Sequence, residues 1–250
     1  MSRQYSAFAH VYDKMMHDVD RDAWIGYLDG FLKENGAHTI MDCACGTGAN
    51  AIRLYQRGYH VTANDASPEM LMEARNNAFK ERAKGIIFIC EDMRKLKLHK
   101  TIDAIVCVCD GVNYLTSLQD LESFLTHAAG CLKPGGLLLF DVSSPYKFRR
   151  ILGTNTFTEE TEEYAYIWQN NYDPKSRLCE MTLTGFVKSG AQYERFTETH
   201  LQRAHSAEEI RAALKRSGFK NVKSYEAFTR EPARANSERI QFAAIRGEKI

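Results

Sequence analysis

The sequence predicts an α/β protein built on a mostly parallel sheet with helices on both faces, interrupted late in the chain by an antiparallel insertion. Three observations carry this expectation. Residues 39–50, TIMDCACGTGAN, read as a buried strand, a tight glycine turn and a helix start. Short apolar runs then alternate with helical patterns as far as about residue 146. After Pro145 the pattern changes to aromatic and β-branched runs separated by Asp173-Pro174-Lys175-Ser176 and Ser189-Gly190-Ala191, both turn-like.

The glycine turn comes first because the rest is arranged around it. Gly46 and Gly48 let the backbone turn without a Cβ, so a ligand can lie on the main chain beside a helix N-terminus. A dinucleotide fingerprint would place a third glycine where Ala51 stands, an alternative that alanine tolerates. The next strand, residues 59–64, ends at Asp65, an acidic side chain placed to accept hydrogen bonds from both hydroxyls of a ribose.

Five segments stand in order: DCACGTG (42–48), NDASPEML (64–71), CEDMRKL (90–96), IDAIVCVCDGVNYL (102–115) and LKPGGLLLFDV (132–142). Together they resemble the ordered motifs of the class I S-adenosylmethionine-dependent methyltransferases over residues 36–145. The opening YSAFAHVYDKMM and the stretch FTETHLQRAHSAEEI resemble a bacterial small-molecule-type subgroup. The resemblance implies a Rossmann-like sheet of seven strands, the last one antiparallel, and S-adenosyl-L-methionine as cofactor. It implies a cofactor-binding set of Asp42, Cys43, Ala44, Gly46, Gly48, Asp65, Ala66, Met70, Asp92, Met93, Cys109 and Asp110. Within that set Met70 packs beside the adenine and Asp92 accepts from its amino group, although either could be an ordinary core or capping residue.

Composition bounds the partners. The 250 residues are 44% hydrophobic and 26% charged, enough for one α/β domain and a small subdomain. A net charge of +1 provides no overall basic field for nucleic acid or an anionic membrane. The first 24 residues carry charge and aromatics, and nowhere do 18 apolar residues run together, so the expectation is a soluble cytoplasmic protein. Oligomeric state is not legible. Two C-x-C pairs, Cys43/Cys45 and Cys107/Cys109, could be thought a metal cluster. Buried cysteine acting as a small apolar residue is the preferred reading, each pair sharing one strand face, with no metal.

In chain order, residues 4–35 read as two helices covering the main domain. Tyr5, Phe8, Ala9 and Tyr12 make an aromatic stripe on the first. In the resembling enzymes such helices cover the cofactor cleft, which gives Tyr5 and Tyr12 the position of a tyrosine that bonds the methionine carboxylate. Ser67-Pro68-Glu69 is a helix start, and Lys133-Pro134-Gly135-Gly136 reads as a turn into a strand over 137–142. Strand four is expected over 104–109. The cofactor domain comprises 1–146 and 206–250; residues 147–205 form a three-stranded meander (163–173, 177–188 and 192–205) that walls the substrate side.

The sulfonium of such a cofactor already activates its methyl group, so the protein mostly positions an acceptor in line with it. The expected reaction is methyl transfer to nitrogen or oxygen of a small molecule. If the acceptor arrives protonated, His200 is the first candidate base, with His205 and Tyr114 after it and His10 and His17 behind. An RNA or protein methyltransferase, an oxidoreductase and a non-catalytic cofactor sensor remain as alternatives at this level, the first lacking a basic stripe and the second a third glycine.

Overall fold

The computed structural model describes residues 9–17 and 19–248. Helices α1 (Ala9–Met15) and α2 (Arg21–Glu34) precede β1 (Thr39–Cys43), α3 (Ala49–Gln56), β2 (His60–Asp65), α4 (Pro68–Lys80), β3 (Ile87–Cys90), β4 (Ile102–Cys107), α5 (Leu118–Cys131) and β5 (Leu132–Ser143). These strands and the last two, β10 (Phe219–Glu226) and β11 (Arg239–Arg246), make one sheet in the order β10-β11-β5-β4-β1-β2-β3. Strands β1 to β5 run parallel, and β11 enters antiparallel between β5 and β10. The Rossmann-like seven-stranded sheet is therefore present, its reversed strand one place in from the edge.

Period-two alternation in β5 shows how the layers form. Leu138, Phe140 and Val142 face a core with Phe124 and Leu125 of α5, whereas Leu137 and Leu139 face Leu28 and Leu32 of α2 and Leu54 of α3. Residues alternating along one strand thus seal both faces of the sheet. Phe140 stacks on Phe242 of β11 with ring centroids 5.1 Å apart. Helix α4 starts as its sequence predicts: Ser67 Oγ accepts from the Met70 N–H at 3.1 Å, with Pro68 in the first turn.

Three local expectations are corrected. Lys133-Pro134-Gly135-Gly136 does not lead into β5 but lies within it; Leu132 already pairs with Ile102, and a register shift absorbs the extra residues, with Gly135 at φ +79°. Strand β4 ends at Cys107 rather than 109, because Cys109 and Asp110 turn into the left-handed region. For the same reason the cysteine pairs do not share a face. Cys43 and Cys107 lie in one core, while Cys45 and Cys109 pack in the other, beyond the last residue of each strand.

The insertion leaves β5 through a short helix, α6 (Pro145–Lys147), and a wider turn at Phe148–Leu152. It has four strands rather than three: β6 (Thr156–Glu160), β7 (Tyr164–Asp173), β8 (Leu178–Ser189) and β9 (Gln192–Arg203), all antiparallel. The missed strand alternates Thr and Glu around one aromatic, so it carries little apolar signal; it is held by pairing with β7. At Gly185 a Cβ would lie 2.2 Å from the Phe196 ring, so that ring packs directly on the β8 backbone. Helix α7 (Ala207–Arg216), opened by a Ser206–Glu209 capping box, returns the chain to the main sheet.

Candidate active site at the carboxyl edge of the sheet

Strands β1, β2 and β4 end side by side, and the polar residues converge there. Asp65, closing β2, accepts the Gly46 N–H at 2.8 Å and the Ser67 N–H at 2.9 Å, one on each carboxylate oxygen. Burial raises its pKa, and the N–H bonds pull in the opposite direction. A carboxylate has about four acceptor sites, so Asp65 keeps capacity for a further donor such as a ribose hydroxyl.

The two glycines have different tasks. Gly46 has φ +54° and its missing Cβ would point into open space, so a ligand can approach the main chain there. Gly48, at φ +78°, caps α3, and a Cβ on it would stand 3.0 Å from the Ala74 Cβ on α4. It permits close helix packing rather than ligand approach. Beneath the turn Asp42 is buried, its Oδ2 without a hydrogen-bond partner among the described residues. Burial pushes its carboxyl up to about 7, helped by the nearby Asp65 charge, while an Ala51 N–H bond and Arg21 pull it down.

Ala44 (φ 55°), Cys109 (φ 61°) and Asp110 (φ 63°) are non-glycine residues in the left-handed region at the ends of β1 and β4. Each such conformation costs of order 1–3 kcal/mol and persists where the surroundings impose it. Gly111 makes that clustering possible: a Cβ on it would be 3.2 Å from the Ala44 Cβ and 3.0 Å from the Cys107 Sγ.

Asp110 belongs to a buried charge cluster. It receives Ser143 Oγ at 2.9 Å and pairs with Arg239 at 2.6 Å, and Arg239 also bonds Asp141. Burial opposes the Asp110 charge, but Arg239, Lys147 and Ser143 outweigh it and hold the carboxyl low. Burial raises Asp141, whose Oδ1 has no partner among the described residues. Arg239 lies 5.2 Å from the Trp24 ring. The sequence signals for this trio were an arginine at the first position of β11 and an aspartate within the apolar run of β5.

Of the remaining expected ligands, Met70 is buried in the first turn of α4 and Met93 packs against the α5-side core. Ala66 connects Asp65 to the Ser67 cap. Asp92 caps the turn at Met93–Lys95 through the Arg94 N–H at 2.8 Å and is clasped by the Arg94 guanidinium. Tyr5 lies outside the described residues. Tyr12, on α1, has its phenol pKa raised by burial and by the neighbouring Cys109 and Tyr114. Helix α1 is fastened to the turn by Asp13, which accepts from Thr47 Oγ1 at 2.7 Å and Asn77 Nδ2 at 3.0 Å. It reaches the inserted sheet through Lys14–Glu163 at 2.6 Å and a hydrophobic cluster of Met15, Tyr164 and Leu183.

The histidines separate cleanly. His205 is fully buried with Nε2 2.7 Å from the Leu115 carbonyl, and burial drives its pKa down to about 4, so it is a structural brace and not a base. His17 sits between Tyr164 and Glu159 at the exposed margin, and the His10 side chain lies outside the description. His200, on the inner face of β9, has Nδ1 3.2 Å from Tyr114 Oη and Nε2 3.4 Å from Glu198.

A family model described as a methyltransferase domain matches residues 40–136. YqeM of Bacillus subtilis, provisionally named a methyltransferase, is 37% identical over 249 residues, covering 98% of each chain. The crystal structure of an S-adenosylmethionine-dependent methyltransferase from Clostridium acetobutylicum superposes with a TM-score of 0.87 at 32% identity, over 98% of this chain and 99% of that one. The sugar N-methyltransferase KedS8 of a Streptoalloteichus species shares the fold at 19% identity, with a TM-score of 0.77 over 99% and 94% of the two chains.

Proposed function

From the premise that the chain belongs to the class I S-adenosylmethionine-dependent methyltransferases, we propose that it methylates nitrogen or oxygen of a small molecule held between the sheet edge and the inserted strands. The observation that carries the reading is Asp65 joined to Gly46 at the one glycine of the turn whose Cβ direction is open. The residues present fit the cofactor. Asp65 takes the ribose hydroxyls, the open main chain at Gly46 admits the amino-acid end, and the orphaned Asp42 oxygen answers its ammonium. Cys43, Ala44, Gly48, Ala66, Met70 and Met93 shape the walls; Asp92 meets the adenine edge beside Arg94, and Tyr5 and Tyr12 close the cover. Cys109 and Asp110 border the transfer position.

Once bound, the cofactor supplies an activated methyl group. The protein's part is to align the acceptor, exclude water beneath α1, and remove a proton where the acceptor carries one; His200 is the residue assigned to that last task. The Tyr166, Trp168 and Phe196 rings share the inner face of the inserted sheet with His200, which suits a small organic acceptor better than a polymer. KedS8, which is named a sugar N-methyltransferase, shows that this fold can serve such an acceptor. No helix among the described residues is long and apolar enough to cross a membrane.

The test is transfer of labelled methyl from S-adenosylmethionine to a panel of primary amines, amino sugars and alcohols, with bulk tRNA and total protein in parallel. Labelling of a small molecule supports the proposal. Labelling confined to RNA or protein would overturn it.

A further inference from the structure

Glu198 and His200 lie two apart on β9 and so share its inner face, opposite Leu183 and Met181 of β8. Glu198 and His200 are both buried, with Nε2 and Oε2 3.4 Å apart. A carboxylate can only accept; with the imidazole proton on Nε2, that N–H faces Glu198 and the Nδ1 lone pair faces Tyr114 Oη at 3.2 Å. Tyr114 reaches His200 from the other side of the cleft, at the end of a helical turn (Gly111–Tyr114) that starts directly beyond Asp110. Its ring meets the imidazole edge-on at 74°, with centroids 6.0 Å apart.

The turn is held firmly against the insertion. Asn113, fully buried, gives its amide to the Ser143 carbonyl at 3.1 Å and the Arg203 carbonyl at 2.9 Å, tying the ends of β5 and β9 together. The turn that carries Tyr114 begins within four residues of the last residue of β4, on the carboxyl side of the sheet where an α/β fold of this kind binds its ligands. The chain of groups therefore runs from a buried carboxylate on β9 to the helical turn beyond β4.

We propose that Tyr114, His200 and Glu198 form a proton-accepting chain in which Tyr114 meets the methyl acceptor and Glu198 is a positioning residue. This rests on the methyltransferase reading and deepens it: the acceptor is a protonated amine or a hydroxyl, which must lose a proton to free the electron pair that takes the methyl. The acceptor N–H or O–H bond breaks and its proton passes to Tyr114 Oη as the Tyr114 proton passes to His200 Nδ1. The electron pair left on the acceptor is the one that takes the methyl, and the imidazolium stays paired with the Glu198 carboxylate until solvent removes its proton.

Ring-nitrogen NMR of the 15N-histidine-labelled full chain tests this without a known acceptor. His200 is assigned from the spectrum lost in His200→Asn, and spectra are taken at alkaline pH with S-adenosylhomocysteine and then with S-adenosylmethionine. The expected result is the Nε2–H tautomer in the wild type and mixed tautomers in Glu198→Gln. The Nδ1 resonance should move between the two ligands, because a sulfonium beside Tyr114 draws the phenol proton toward His200; Tyr114→Phe should abolish that movement. A structural pair remote from the transfer position would report the two ligands alike. An Nδ1–H tautomer, or identical Nδ1 resonances in the two wild-type complexes, would overturn the chain even if the variants failed to fold. Calorimetry on the same samples keeps the questions apart: binding without the ligand-dependent shift sinks the chain alone, whereas no binding of either ligand sinks the cofactor reading.

Discussion

Asp65 accepts the Gly46 N–H at 2.8 Å across the mouths of two neighbouring parallel strands, so the ribose anchor and the glycine turn form one rigid unit. The same carboxylate holds Ser67, the cap of α4, which aligns that helix with the cleft. Substitutions around this unit should separate binding from stability.

The two glycines of the turn provide the cleanest contrast. Gly46→Ala should cost about 1–2 kcal/mol of stability, the price of a left-handed alanine, yet weaken cofactor binding sharply because its methyl enters the open approach. Gly48→Ala adds overpacking against Ala74 to the same backbone strain and should cost about 1–3 kcal/mol more. Urea unfolding and calorimetry on the two variants check both halves.

Asp42 makes cofactor binding pH-dependent. With its carboxyl at about 7 in the free protein, it is partly protonated near neutrality, and an arriving ammonium favours the ionised form. Binding should therefore release a proton, and affinity should rise as pH rises through about 7. Calorimetry in two buffers of different ionisation enthalpy measures the release directly; no buffer dependence would remove Asp42 from the ammonium's neighbourhood. The linked stability has the opposite sense. A carboxyl whose folded pKa is raised contributes stability below the ordinary carboxylate range and loses it as pH climbs through about 7, so Asp42→Asn should stabilise the free protein most in alkaline buffer.

Arg239 is the cation between two buried carboxylates. Arg239→Met leaves Asp110 and Asp141 facing each other unneutralised and should destabilise by about 3–5 kcal/mol. The loss should deepen as pH rises and both carboxyls ionise. Chemical denaturation as a function of pH reads this; a pH-independent loss would mean that only side-chain packing had been removed.

How much of this was legible in the sequence depended on whether the signal was local. The glycine turn, the Asp65 strand end and the Ser67-Pro68 helix start are set by short-range chemistry and lie where the residues predict. So does the reversed β11, through the family resemblance and a late apolar run. Strand β6 was missed because Thr156–Glu160 has too little apolar contrast to stand out without its partner β7. The left-handed Cys109 was taken for strand because its backbone conformation, like that of Asp110, depends on Gly111 packing against Ala44, a contact between segments far apart in sequence. Long-range pairing likewise hid the Arg239 bridge and the Tyr114–His200 contact, whose partners are separated by 98 and 86 residues. His205 was ranked as a candidate base on residue type, and only its burial and its bond to Leu115 show it to be a brace.

The most direct test of the central claim is calorimetric titration of wild type and Asp65→Ala with S-adenosylmethionine and S-adenosylhomocysteine. A charged hydrogen-bond partner is worth about 1.5–3 kcal/mol, so the variant should bind both ligands at least tenfold more weakly while its circular dichroism stays that of a folded chain. Equal affinity in wild type and variant would contradict the assignment of Asp65 as the cofactor's ribose anchor.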